Sequence, residues 1–197
     1  MSVRRIHITG GPGAGKTTLA RRLGALLRVP VYDQDGEALA VLRRLSERDG
    51  TDYRTDLAPI VAEFSAVVGE KMDAFAVQES WISEGSSLMR ADSLFERADV
   101  VVLMDTTWPA AAYRIVLRHA KAELARDNRF PGWLRMYRFC RYAVRYYRGR
   151  NRPGLNDYGV PRNNYHLYER LRGYESKLAV CRSNPEIEAL VRRITNS

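Results

Sequence analysis

A glycine-rich stretch near the start of the sequence carries residue types suited to binding phosphate. Residues 10–18 read Gly-Gly-Pro-Gly-Ala-Gly-Lys-Thr-Thr, which matches the pattern G-x-x-x-x-G-K-[ST]. Glycines let the backbone curl so that successive N–H groups point at phosphate oxygens, and the N-terminus of the next helix adds positive potential. The residues expected to hold a nucleotide are Gly11, Pro12, Gly13, Ala14, Gly15, Lys16, Thr17 and Thr18.

Two side chains of this stretch have individual chemical roles in the pattern. The ammonium group of Lys16 would reach the β- and γ-phosphates, which makes it a candidate catalytic residue. The hydroxyl of Thr17 would ligate Mg²⁺. Nucleotide binding is therefore the first function that the sequence predicts.

Carboxylates follow two predicted strands and would lie near the phosphates. Glu84, followed by Gly85, would hold the water shell of Mg²⁺, or else be a solvated acid at a strand end. Asp33 and Asp35 follow the second strand, where one carboxylate would accept the proton of an acceptor hydroxyl beside a γ-phosphate. Asp35 would alternatively cap the next helix. We expect Asp33, Asp35, Glu84 and Gly85 to face the acceptor, and we expect Asp33 to be the catalytic residue among them.

Short β-rich segments alternate with long helical patterns, which is typical of a parallel α/β sheet. The predicted strands are Arg4–Thr9, Val29–Asp33, Trp81–Glu84, Val100–Asp105 and Lys177–Cys181. The predicted helices are Lys16–Leu27, Gly36–Arg48, Leu57–Gln78, Leu88–Ala98, Pro109–Ala125 and Pro185–Ile194. Residues 127–174 interrupt this alternation and are predicted to form an inserted, mostly helical segment.

All of the surplus positive charge lies in one segment. The chain has 197 residues with a net charge of +9, and residues 126–172 hold twelve arginines against three acidic residues. The rest of the chain is neutral, with 20 basic and 20 acidic side chains. A high isoelectric point here reflects one local feature and does not indicate a generally nucleic-acid-binding surface.

A helical wheel of residues 134–148 separates basic side chains from an apolar side made of Met136, Phe139, Cys140, Ala143 and Tyr147. Arg138, Arg141, Arg145 and Arg148 share one side of the predicted helix. Three interpretations follow: a lid that lays arginines against the transferring phosphoryl group, a nucleic-acid-binding face, or a solvated face of a docked helix. We favour the lid, with Arg126, Arg129 and Arg138 as candidate catalytic arginines.

The combined motifs resemble the adenylate kinase and shikimate kinase superfamily of small-molecule kinases. The resemblance covers residues 3–36, 79–118 and 176–196, and includes an arginine pair after Asp105. It implies that Arg114 stacks on the adenine of ATP, that Arg118 contacts phosphates and acts in catalysis, and that the turn at Asn184 and Pro185 lines the adenine. A solvated helix face is the alternative for the arginine pair.

Within that superfamily the sequence is most similar to the DNA topology modulation (FlaR-type) proteins, through its acidic turn and its arginine- and aromatic-rich segment. The arginines with which adenylate kinases bind a monophosphate acceptor are missing, although Arg54 or Arg90 would substitute. This departure favours a neutral or hydroxyl-bearing acceptor over AMP.

The resemblance implies a P-loop NTPase fold of three layers: a five-stranded parallel sheet with helices on both faces and a helical lid insertion. Residues 1–118 with 175–197 would form the core, and residues 119–174 the lid. We expect an ATP- and Mg²⁺-dependent phosphotransferase acting on a small-molecule, nucleoside or nucleotide acceptor. The alternative is a nucleic-acid-binding or regulatory P-loop ATPase.

The composition excludes several other classes of protein. No apolar run is long enough to span a membrane, and the N-terminal residues lack the pattern of a signal peptide. Cys140 and Cys181 form neither a disulfide framework nor a zinc spacing. We therefore expect a cytoplasmic monomer or homodimer with no membrane partner.

Overall fold

The computed structural model describes residues 3–52, 56, 58–86, 92–128, 131–148, 153 and 165–196. Five strands form one sheet, and their bounds are β1 (Arg5–Gly10), β2 (Val31–Asp33), β3 (Trp81–Gly85), β4 (Val100–Met104) and β5 (Leu178–Cys181). All four pairings are parallel, in the order β2-β3-β1-β4-β5. All five predicted strands are present, with ends that differ by at most two residues.

Eight α-helices connect or follow the strands within the described ranges. They are α1 (Lys16–Leu27), α2 (Gln34–Asp49), α3 (Val61–Ala76), α4 (Asp92–Arg97), α5 (Trp108–Leu124), α6 (Trp133–Arg148), α7 (Tyr165–Leu171) and α8 (Asn184–Thr195). A 3₁₀ helix, Arg172–Lys177, leads into β5. Helix α2 begins two residues earlier than predicted because Asp33, and not Asp35, is its N-cap: the Asp33 carboxylate accepts a 2.9 Å hydrogen bond from the Gly36 N–H.

Alternating side chains of the buried strands divide the core into two layers. In β4, Val101 and Leu103 pack with the helices α2, α3 and α4, whereas Val102 and Met104 pack with α1 and α8 on the opposite face. A strand that is apolar on both faces must be covered on both, and this is the pattern of a parallel α/β sheet. The predicted three-layer architecture with helices on both faces is confirmed.

The order of the strands determines where a ligand site forms. Strand β1 lies between β3 and β4, and the chain leaves β1 toward α1 at the point where the sheet connections change direction. In open α/β sheets ligands bind at the carboxyl ends of the strands beside such a point. The glycine-rich stretch, which directly follows β1, therefore occupies the position where the fold favours a site.

Among the described residues, no helix is both long enough and apolar enough to cross a membrane.

Candidate active site

The glycine-rich stretch forms a tight loop between β1 and α1. Gly13 has a φ of +77°, and a Cβ atom there would lie 2.7 Å from the carbonyl oxygen of Ala111 and 2.9 Å from Ile115. A side chain at this position would therefore be strained by its backbone conformation and would also collide with α5. Only glycine allows α5 to pack this closely on the loop.

The loop leads into α1, whose own first turn contains no acidic residue. Gly15 is the N-cap of α1, and it provides no side-chain cap. The unpaired N–H groups and the helix dipole therefore favour an anion at this point. These features fit the phosphate groups of a nucleotide.

Lys16 is held inside this loop. Its side chain is only 7% exposed, and its Nζ donates a 3.2 Å hydrogen bond to the carbonyl oxygen of Gly11. Burial lowers the pKa of Lys16, whereas the nearby carboxylates of Asp35 and Glu84 oppose that change. Within the described ranges no carboxylate lies within salt-bridge distance of Lys16. An ammonium group with one bond, to its own loop, is positioned to bind an added anion.

Thr17 and Glu84 form the oxygen pair expected of a Mg²⁺ site. The Thr17 hydroxyl donates a 2.6 Å hydrogen bond to Oε1 of Glu84, whose side chain is 3% exposed. Burial raises the pKa of Glu84, the Thr17 hydrogen bond and Lys16 oppose the increase, and the charges of Asp33 and Asp35 add to it. A cation at this point would offset the cost of that buried charge.

The pair fits Mg²⁺ by its chemistry. Mg²⁺ prefers hard oxygen ligands, keeps several waters and is commonly bound by one or two protein oxygens together with substrate phosphates. No group of three or more acidic, histidine or cysteine side chains that could hold a metal occurs in the part of the chain that the structure describes.

Asp33 and Asp35 lie at the same edge of the sheet as Glu84. Asp33 is the register partner of Glu84 across the β2–β3 pairing. Asp35 accepts hydrogen bonds from the backbone N–H and the hydroxyl of Ser86, at 3.3 and 3.4 Å. Both carboxylates are exposed, and neither pairs with a basic side chain in the described structure. Gly85, which follows Glu84, packs against Gln34, since a Cβ there would lie 2.8 Å from the Cβ of Gln34.

Helix α5 places the predicted arginine pair beside the loop, one turn apart. Nη1 of Arg114 donates a 2.9 Å hydrogen bond to the carbonyl oxygen of Ala14. Arg118 is exposed and lies close enough to Lys16 that its charge contributes to lowering the pKa of that lysine. Arg114 therefore contacts the glycine-rich loop directly, whereas Arg118 lies near it and is exposed to solvent.

A cavity of about 420 Å³ opens between the loop, α5 and α8. This volume falls in the usual range for small-ligand pockets. Arg114 and Asn184 line it together with Thr18 of α1, and the paired side chains of Arg22 and Glu188 close one side. The predicted residue Pro185 lies in the first turn of α8, outside the cavity lining. The cavity is the natural position for the base of a nucleotide whose phosphates lie on α1.

Helix α6 crosses the loop, and it meets the loop through a tyrosine. The hydroxyl of Tyr147 donates a 2.6 Å hydrogen bond to the carbonyl oxygen of Pro12, and its ring packs on Trp108 with the ring centroids 5.5 Å apart. A Cβ on Gly11 would lie 2.8 Å from the Tyr147 hydroxyl oxygen. The predicted wheel places Tyr147 on the apolar side of the helix, but it does not indicate this contact.

The neighbouring Tyr146 extends α6 toward the acceptor carboxylates. Its side chain is 5% exposed, and burial, the adjacent Tyr142 and the charge of Asp35 raise the pKa of its phenol. The arginines of α6 are all exposed. Of the candidate lid arginines, Arg126 and Arg138 are exposed as well. In this arrangement the aromatic side of α6, and not its arginine side, covers the site.

Three predicted residues lie outside the described ranges. They are Arg54 and Arg90, the candidate acceptor arginines, and Arg129, a candidate lid arginine.

A buried polar network lies beneath the site and was not predicted. Nδ1 of His7 is 2.7 Å from the Ser83 hydroxyl and 3.4 Å from Nε2 of Gln34. Burial lowers the pKa of His7 to about 3, and the charge of Arg170 contributes. His7 therefore stays neutral at physiological pH, and the network supports the strand ends that carry Glu84.

Solved structures, among them a shikimate kinase, share this fold. A shikimate kinase from Bacteroides thetaiotaomicron has 16% sequence identity and a TM-score of 0.52, with 99% of this chain and 98% of that chain covered. TT1252 from Thermus thermophilus has 17% identity and a TM-score of 0.51, with 100% and 98% covered. No protein-family model matches the chain, and no curated protein matches it in sequence. The chain therefore has the P-loop kinase fold, and the resemblance found in its motifs is confirmed at the level of architecture.

Proposed function

We propose that this protein is an ATP- and Mg²⁺-dependent phosphotransferase that moves the γ-phosphate of ATP to a hydroxyl group. The observation that carries the proposal is the convergence of a helix N-terminus without a side-chain cap, the buried Lys16 and the Thr17–Glu84 pair on one loop. An ordinary glycine turn requires none of these charges. The exposed carboxylates of Asp33 and Asp35, which form no ion pair within the described structure, lie at the same edge of the sheet and favour a transferase over a simple nucleotide-binding module.

Each residue has a definite part in the transfer. The acceptor oxygen forms a bond to Pγ, the bond from Pγ to the leaving oxygen breaks, and ADP departs with the electron pair. Asp33 takes the proton of the acceptor hydroxyl. Lys16 and Arg118 stabilise the negative charge that spreads over the phosphoryl oxygens. Mg²⁺, held by Thr17 and Glu84, would supply charge neutralisation when bound.

Lys16→Ala, compared with Lys121→Ala, tests the nucleotide site. Lys121 is an exposed lysine of α5, so its removal controls for the loss of one positive charge. Because a hydrogen bond to a charged group contributes about 1.5–3 kcal/mol, Lys16→Ala should weaken MgATP binding by about tenfold to more than a hundredfold in calorimetry. Unchanged affinity in a folded Lys16→Ala protein would contradict the proposed site.

Asp33→Asn tests the transfer itself. Asparagine caps helices as well as aspartate does, so the 2.9 Å bond from the Gly36 N–H is retained while the proton acceptor is removed. We expect MgATP affinity to persist and acceptor-stimulated ADP release to fall by at least about a hundredfold. Full turnover in this variant would remove Asp33 from the mechanism.

A further inference from the structure

Helix α6 carries a surface that the transfer of a phosphoryl group to a small molecule leaves unused. Four arginines, Arg138, Arg141, Arg145 and Arg148, share one side of the helix, and we refer to them as the arginine face. All four are exposed, and none forms a salt bridge in the part of the chain that the structure describes. The helix contains no acidic residue. Because the remainder of the chain outside residues 126–172 is neutral, this concentration of charge is local.

Exposed aromatic side chains lie on both flanks of the arginine face. Tyr137 is 55% exposed and Tyr142 is 43% exposed. An α-helix rises 1.5 Å per residue, so the row from Arg138 to Arg148 extends about 15 Å, the rise of about four stacked nucleotides. Cationic grooves with aromatic platforms are how proteins hold single-stranded nucleic acids.

The packing of α6 favours a polyanion over a lipid bilayer. A helix that lies in a membrane surface inserts its apolar side. In the second half of α6 that side is occupied within the protein, since Ala143 is fully buried and Tyr146 is 5% exposed, whereas Trp133, Leu134 and Phe139 in the first half are 55%, 62% and 39% exposed. The half of the helix that carries Arg141, Arg145 and Arg148 therefore has its apolar side covered, and its charge complements the phosphodiesters of a nucleic acid.

The arginine face ends where the candidate active site begins. Arg148 is in the last turn of α6 with Tyr147, which contacts Pro12 of the phosphate loop, and with Tyr146, which lies near Asp35. Because the arginine face is on the opposite side of α6 from Tyr147, a strand that follows it to Arg148 would pass the end of the helix to bring its terminus to the edge that carries Asp33 and Asp35. Those carboxylates suit a hydroxyl and disfavour an internal phosphodiester.

We infer that the acceptor is the terminal 5′-hydroxyl of a single-stranded nucleic acid, bound along the arginine face of α6. This inference rests on the proposed function. The 5′-oxygen forms the bond to Pγ, its proton passes to Asp33, and ADP leaves with the electrons of the broken bond. The product is a 5′-phosphorylated strand.

Binding is tested first, without catalysis. Fluorescence anisotropy with a twelve-nucleotide 5′-hydroxyl RNA or DNA should show affinity that falls with salt, with a slope in log K of about −2.8 for four neutralised phosphates. Replacing the four arginines of the arginine face with alanine should abolish most of the affinity and of the slope. The control removes four exposed arginines elsewhere and should preserve binding; these are Arg21, Arg44, Arg192 and Arg193.

Transfer is tested second, with γ-labelled ATP. The label should enter a 5′-hydroxyl oligonucleotide and not its 5′-phosphorylated counterpart, and the arginine-face variant should lose transfer while calorimetry still shows MgATP binding. No oligonucleotide binding at 50 mM salt would overturn the inference. So would binding only to phosphatidylserine vesicles, or transfer only to free nucleosides or sugars. Transfer only to free nucleosides or sugars would leave the proposed phosphotransferase function intact. If the wild-type protein did not bind MgATP, both the inference and the proposed function would be rejected.

Discussion

Gly11→Ala should separate α6 from the phosphate loop. A Cβ at Gly11 would lie 2.8 Å from the Tyr147 hydroxyl oxygen and 2.9 Å from its Cζ, so the ring must move. That movement breaks the 2.6 Å hydrogen bond to Pro12, with a net cost of about 0.5–1.5 kcal/mol. Residual overpacking adds to this cost, and we expect a total loss of about 1–2 kcal/mol in the free energy of unfolding.

The same substitution should have the opposite effect once Tyr147 is truncated. In a Tyr147→Ala background the collision is absent, and alanine at a compatible backbone position stabilises by about 0.4–1 kcal/mol, because it restricts the unfolded chain. Urea unfolding of the single and double variants should therefore yield a coupling of at least about 1.5 kcal/mol. Gly173→Ala, where nothing lies within 4 Å of the added Cβ, is the control and should show no coupling. An equal cost of Gly11→Ala in both backgrounds would refute the contact.

Two further predictions concern buried titratable groups. Because burial lowers the pKa of His7 to about 3, acidification from pH 7 to pH 5 protonates this residue only in the unfolded chain and should remove about 2 kcal/mol of stability. Urea unfolding at both pH values should show this loss in the wild type and a correspondingly smaller loss in His7→Gln, and equal losses would contradict it. Burial raises the pKa of Glu84, so Glu84→Gln should be more stable than the wild type at pH 8, and this advantage should disappear below the ordinary glutamate pKa near 4.5. Thermal unfolding against pH measures this, and an advantage that is greatest in acid would contradict the assigned burial of charge.

The sequence predicts the fold and the phosphate loop because both depend on local patterns. Strand β4 is apolar on both faces, so it has to be covered by helices on both sides, whatever the tertiary details. The loop pattern lies between a strand and a helix, and that context fixes the position of Lys16 and Thr17. Glu84 is at a strand end, and parallel strands bring their carboxyl ends to one edge.

Contacts between distant segments could not be predicted in the same way. Tyr147 bonds to a carbonyl oxygen 135 positions earlier in the chain, and no local pattern specifies which backbone atom a side chain will meet. The histidine network has the same origin, since His7 and Ser83 face each other only because β1 pairs with β3 in one particular register. The alternative that Asp35 caps α2 is wrong, and residue type could not decide it, because Asp33 and Asp35 are equally good caps and Asp33 provides the cap.

The arrangement of α6 changes how the arginine-rich segment is interpreted. A helical wheel separates the two sides of a helix but does not indicate which side faces a ligand, and the lid hypothesis requires the arginine side to face the phosphates. With Tyr147 bonded to the loop and Ala143 buried, rotating α6 by the half turn that would bring Arg141 to the phosphates would expose that buried side. Such a rotation would expose apolar surface to water, which costs about 25 cal/mol of free energy for each Å² exposed. The closed lid is therefore disfavoured unless a ligand compensates. A ligand that approaches from outside meets the arginines as they already stand, and for a charged polymer this requires no rearrangement of the helix.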